Sequence, residues 1–262
     1  MKFIRIVKIL MKNAIVRDSK VVGFVSVSVL QEIASIVVNI TFFNVIFANI
    51  TSLAGWNFYQ VLFLYAFSKT ITSLSYAFTR FGLKDLGQEM IKYGDYDFHL
   101  IKPVDTMALV SFSRPRPTRL IAAVFYIILS IYCALKTGIS IGADNLFWFL
   151  FLMVFGFVIF YCLEVITVIP AFKFIRVWSL PEIIPKMAEF MRYPMGIFSM
   201  PFKVILFGIF PILAASYVPA QALFYPPRAI HIIYLVAIAV IFFIIVRKLW
   251  KFFERGYSSA SS

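Results

Sequence analysis

The chain has little of what a catalytic or metal site requires. Its two histidines, His99 and His231, stand far apart, and no Cys or carboxylate cluster completes a metal site around either. No Gly-x-Ser-x-Gly stretch occurs. The nearest approach to a phosphate loop is Gly82-Leu83-Lys84-Asp85-Leu86-Gly87, followed by Gln88 and Glu89; a P-loop needs Lys followed by Ser or Thr. The two cysteines, Cys133 and Cys162, both fall in apolar runs. They are too few for a disulfide framework and read as buried thiols. Acidic side chains are scarce, with 12 Asp and Glu against 25 Lys and Arg and a net charge of +13. A cleavable signal peptide is not evident: the first apolar run is too long for one and lacks a small-residue cleavage site. The expectation is a chain with no catalytic motif, no resident cofactor and no metal.

What is abundant is apolar. Hydrophobic residues make up 62% of the 262, including 31 Phe, where soluble chains run near about 45–50%. Six long apolar segments lie at about 21–48, 57–80, 119–136, 145–172, 197–218 and 229–250. Each is long enough to cross a bilayer, which takes about 20 helical residues. Together they use nearly the whole chain and leave no room for a nucleotide-binding or external domain. The fold class expected is therefore all-α: a polytopic membrane protein of six transmembrane helices. The fourth segment is long enough to tilt or to emerge at the interface. The fifth contains Pro201 and Pro211, which should kink or break it.

The positive charges orient this arrangement. With the N-terminus inside, residues 1–20, 80–119, 173–203 and 247–262 are cytoplasmic and hold 22 of the 25 Lys and Arg. The outer loops hold only Lys136 and Arg228, and Lys69 sits within a span. This is a strong positive-inside bias and places both termini in the cytoplasm. It accounts for the +13 without nucleic acid, since the charges face anionic headgroups. Residues 1–20 set Phe3, Ile6, Val7 and Leu10 against Lys2, Arg5, Lys8 and Lys12, the pattern of an N-terminal interfacial amphipathic helix. Residues 182–192 read as a second one, with Ile183, Ile184, Met187 and Met191 opposite Lys186 and Glu189. The membrane-spanning unit then covers 21–256, with a large cytoplasmic loop at about 81–118 and a tail at 257–262. Trp56, in the first outer loop, reads as an interfacial anchor, and Glu164 as reaching the cytoplasmic interface.

Two polar stripes cross the apolar spans. Ser28, Glu32, Ser35 and Asn39 share one face of the first span. Lys69, Ser73, Tyr76 and Arg80 do the same in the second. Lipid offers such stripes no partner, so they should face protein or a watery cavity. Glu32 lies about 17 Å from the cytoplasmic end of its span and Lys69 about 18 Å from the outer end of its own, at 1.5 Å per residue. Either charge alone costs about 2.5–3.5 kcal/mol at the bilayer centre. Glu32 and Lys69 are expected to pair with each other, or to line a translocation path.

Between the second and third spans stands Gly94-Asp95-Tyr96-Asp97-Phe98-His99-Leu100-Ile101-Lys102-Pro103. Gly-Asp marks a turn, and Pro103 ends the short helix after it. This stretch resembles a loop element of the permease subunits of ABC-2-type transporters. The basic N-terminal segment, the six spans with short outer loops, Tyr193-Pro194 before the fifth span, Pro211 and Val218-Pro219-Ala220 are similar to that family too. The resemblance implies a permease that dimerises with itself or a related chain, powered by a separate ATPase dimer that carries the ATP and Mg. It also implies that residues about 82–103 form a coupling helix, with Lys84, Asp85, Glu89 and Lys92 as ATPase contacts and Gly94, Asp95, Asp97, Lys102 and Pro103 shaping the loop. The function expected is ATP-driven export of a hydrophobic or amphipathic substrate across a bacterial plasma (inner) membrane. The alternative is a secondary transporter or channel working through Glu32 and Lys69.

Overall fold

The computed structural model describes residues 2–19, 22–174 and 177–258. Among the described residues seven long helices organise the fold: α1 (Lys2–Ser19), α2 (Val22–Phe47), α3 (Phe58–Phe78), α4 (Arg119–Lys136), α5 (Ala143–Val168), α6 (Ile212–Phe224) and α7 (Ala229–Glu254). No strand occurs among the described residues. Among the described residues five helices are long and apolar enough to cross a membrane: α2, α3, α4, α5 and α7. The count rises to six if a bent pair, Met200–Ile209 with Ile212–Phe224, is one span. The all-α polytopic fold is thus as expected, and both cysteines are buried free thiols.

The central helix is α3. In its most apolar stretch 72% of residues are buried, against 6% in α2, which leans on the bundle through one face. A capping box starts α3: Asn57 Oδ1 accepts from Gln60 N, and Gln60 Oε1 accepts from Asn57 N, both at 2.9 Å. These bonds satisfy donors that a helix start would otherwise leave bare. Helix α4 packs along α3, and α5 packs along α6 and α7. Gly156 permits the closest of these approaches, because a Cβ there would meet Ala215 O at 2.2 Å. The α2–α3 turn closes on Ala54 and Gly55, both at positive φ. Trp56 does not anchor at an interface. It is 4% exposed and packs on Tyr217, Phe224 and Tyr225.

The fifth crossing departs most from the expected layout. Val177 donates to Gly87 O at 2.8 Å, and Glu182 meets Arg80 and Lys84, all at the end of the bundle that carries the 79–118 loop. Glu189 meets Lys69, far inside α3. Arg192 then reaches Asn39, Tyr193 packs on Phe43, and Gly196 lies against Ala54 in the α2–α3 turn. Residues 177–196 therefore traverse the bundle from one end to the other in short 3-10 and α turns broken by Pro181, Pro185 and Pro194. The 182–192 stretch expected on a membrane surface is part of this crossing. The apolar run expected to span over 197–218 instead bends by 91° at Phe210 and Pro211. It begins next to Gly196 and ends with Leu223 O accepting from Asn145, at the same end of the bundle. It is a re-entrant hairpin, and the expected break at Pro211 sits at its tip.

Candidate functional site

A polar recess of about 250 Å³ lies on the flank of the bundle between α2, α3, the start of α4 and the fifth crossing. Glu32 and Ser35 enter from α2, and Lys69, Ser73 and Tyr76 from α3. Arg119 and Tyr126 enter from α4, and Glu189 from the crossing. Spacing of three and four residues stacks each helix's contribution on one face. Glu32 and Lys69 share this recess but do not pair with each other. Glu32 Oε1 accepts from Arg119 Nη1 at 3.3 Å, and its Oε2 accepts from Tyr126 Oη at 2.8 Å. Lys69 Nζ donates to Glu189 Oε1 at 2.7 Å. Both charges have nearer partners on other elements, so the expected direct pair is replaced by two pairs.

The remaining stripe residues extend the recess along the bundle. Asn39 donates to Ser35 O at 2.8 Å and accepts from Arg192 Nη1 at 2.9 Å. Ser28 lies one turn nearer the loop end, in a crevice shared with Thr118 and Arg119. Arg80 leaves the stripe: it is 3% exposed and donates to Glu182 Oε2 at 3.0 Å. Glu164 does not reach an interface. It is wholly buried and accepts from Ser75 Oγ at 2.5 Å.

The loop from 79 to 118 forms a second polar region. Helix Arg80–Asp85 runs on through a π turn, Leu86–Met90, to Tyr93. Gly94, at φ 76°, ends it in the left-handed conformation that favours glycine. A helical turn, Asp97–Leu100, follows and stops before Pro103. Asp105 caps Thr106–Ser111 through Ala108 N at 3.0 Å. The end of α7 grips this loop: Arg247 pairs with Asp105, Trp250 Nε1 donates to Thr106 Oγ1, and Tyr96 Oη donates to Glu254. Asp85 is not the surface group expected. It is 6% exposed, with Oδ1 on Arg114 at 2.9 Å. Burial pushes its carboxyl up to about 6, against the pull of Arg114. Lys84 is tied to Glu182 at 2.8 Å, and Lys92 lies over the Tyr93 ring. Glu89, Asp95, Lys102 and Pro103 are exposed, with Asp97 half-buried between them. Around them Tyr93, Phe98, Leu100 and Ile101 form an exposed apolar rim.

Sequence reasoning missed Glu189, Arg119, Tyr126 and Arg192. The first and last lie in a segment read as surface, and Arg119 was counted with the cytoplasmic charges. Their signal was present: Glu189 and Arg192 are an i, i+3 pair, which suits one helix face. No group of His, Cys, Asp and Glu able to hold a metal occurs among the described residues.

No curated protein and no solved structure matches the chain. A family model described as ABC-2 family transporter protein matches residues 33–261, and on that match the chain belongs to the ABC-2 transporter family.

Proposed function

We propose that this ABC transporter permease is an exporter of an amphipathic substrate, driven by a separate ATPase dimer that binds ATP and Mg. The family supplies the transporter assignment, and the observation that carries the rest is the charged recess at mid-bundle. Charges such as Glu32 and Lys69, held deep within apolar helices, are expensive unless they are paired or wetted. Their grouping around one opening favours a path over isolated structural locks. In this reading the 79–118 loop faces the cytoplasm. Glu89, Asp95, Asp97, Lys102 and Pro103, with Phe98 and Ile101 beside them, meet the ATPase. Lys84, Asp85 and Lys92 act behind that surface by holding the loop. Closure of the ATPase would push the loop, and Glu182, gripped by Arg80 and Lys84, would carry the push into the fifth crossing and so to Glu189. The membrane is the bacterial inner one, with both termini inside and a second permease completing the dimer.

Purification from native membranes tests this. A stoichiometric ATPase should accompany the chain, and proteoliposomes of the complex should move a fluorescent amphiphile only with ATP. Exchanging Phe98 and Ile101 for Ser should cut that flux about tenfold or more by weakening an apolar contact. Transport that persists without ATP, driven by an ion gradient, would replace this reading with a secondary carrier using Glu32 and Lys69.

A further inference from the structure

Resting on that reading, we infer that the recess takes a zwitterionic group, an ammonium and a phosphate or carboxylate on one short stem. The apolar remainder of the molecule lies outside the recess. The lining itself is charge-balanced, with Glu32 on Arg119 and Glu189 on Lys69, while Arg192, outside it, also meets Glu189 at 3.5 Å. An anionic ligand entering here would have to face two carboxylates, and a cationic one two cations. A neutral ligand would leave both pairs closed. A zwitterion alone lets each pair open by exchange: Lys69 and Arg119 take the anion while Glu32 and Glu189 take the ammonium. No charge is left unpaired at a depth where that is most costly.

Three further observations point the same way. Gln31, Ser73 and Tyr76 line the recess with polar groups that have no hydrogen-bond partner in the described chain. A volume of about 250 Å³ falls below the roughly 300–1,000 Å³ of sites that enclose a whole drug-sized molecule. It suits a headgroup. The mouth is lateral, because Gln31 and Glu189 are both exposed on the flank. Beside that mouth α2 shows Leu30, Val37 and Val38 outward, a surface fit for acyl chains. A lipid is therefore favoured over a soluble zwitterion as the source.

Native mass spectrometry of the purified full-length chain in neutral detergent tests the class. The probes are phosphatidylethanolamine, phosphatidylglycerol and diacylglycerol with identical acyl chains. Phosphatidylethanolamine should be retained about tenfold better than the other two, the worth of one charge-assisted contact. The double variant Glu32→Gln/Arg119→Gln removes a whole pair and strands no charge, so it should fold and lose that preference. Equal retention of the three lipids overturns the inference. So does a folded double variant with the preference intact, since the pairs would then only lock helices. Competition by free phosphoethanolamine as strong as by the lysolipid upholds the zwitterion and moves its source to water. ATP-driven flux by the complex separates the two levels. Flux without headgroup preference sinks only the zwitterion; no flux of any amphiphile sinks the exporter reading.

Discussion

Asp85 is a carboxyl outside the membrane-spanning helices whose ionisation the fold opposes. Its carboxyl is raised from 3.8 to about 6 by burial. The folded chain then binds this proton more tightly than the unfolded chain does. Stability from this group is complete below about pH 4 and is lost as pH rises through about 6. Asp85→Asn should flatten that slope. At pH 7.5 it should also stabilise the detergent-solubilised chain by on the order of 2 kcal/mol. Its partner Arg114 is half exposed and stays hydrated when released. Thermal unfolding of both proteins from pH 4 to 8 checks this; parallel curves would show that Asp85 is ionised at no cost. The residue type at 85 was legible, its burial was not. Helix Arg80–Asp85 folds against Thr106–Ser111, and nothing local in the sequence announces that packing. Lys69 and Glu32 were legible for a plainer reason, since a charge inside an apolar helix stands out. Their partners come from α4 and the fifth crossing, which only the tertiary fold brings near.

Among the elements, α2 to α5 and α7 follow their apolar runs within a few residues, because a bilayer demands length and apolarity and both are written locally. The fifth crossing broke that rule in both directions. Residues 177–196 are too polar and too rich in proline to read as a span, yet they cross inside the bundle, where Lys69, Asn39 and Ser216 serve their polar groups. Residues 200–224 are apolar enough to span, yet they turn back. The α5–α6 contact is the sharpest packing test. Gly156→Ala would drive a methyl group into Ala215 O, and backbone cannot swing aside as a side chain can. Overpacking of this kind costs about 1–3 kcal/mol. The melting temperature in detergent should fall accordingly. Gly208→Ala, with open space around its Cβ, should leave it unchanged.

For the whole molecule, the charge distribution and the fifth crossing make a joint prediction. Cys133 and Cys162 are buried, so new thiols can be read against a low background. An impermeant maleimide applied to intact cells should label Ser140→Cys in the α4–α5 turn and Ser199→Cys beyond the crossing, both exposed positions. Lys102→Cys should react only after permeabilisation. The reverse pattern would invert the orientation. Ser199→Cys behaving like Lys102→Cys would return the crossing to 197–218.

The grip of α7 on the 79–118 loop sets an order of events in synthesis. Its three bonds join residues 142, 144 and 158 positions apart. At about 5–20 residues per second, the ribosome needs on the order of ten seconds to make the second half of each bond after the first. Until then the loop lacks the anchors that shape it. On the proposed reading of this loop as the ATPase contact, a nascent or prematurely terminated chain would present its motor an unformed surface, so assembly would wait for, and thereby inspect, the last helix.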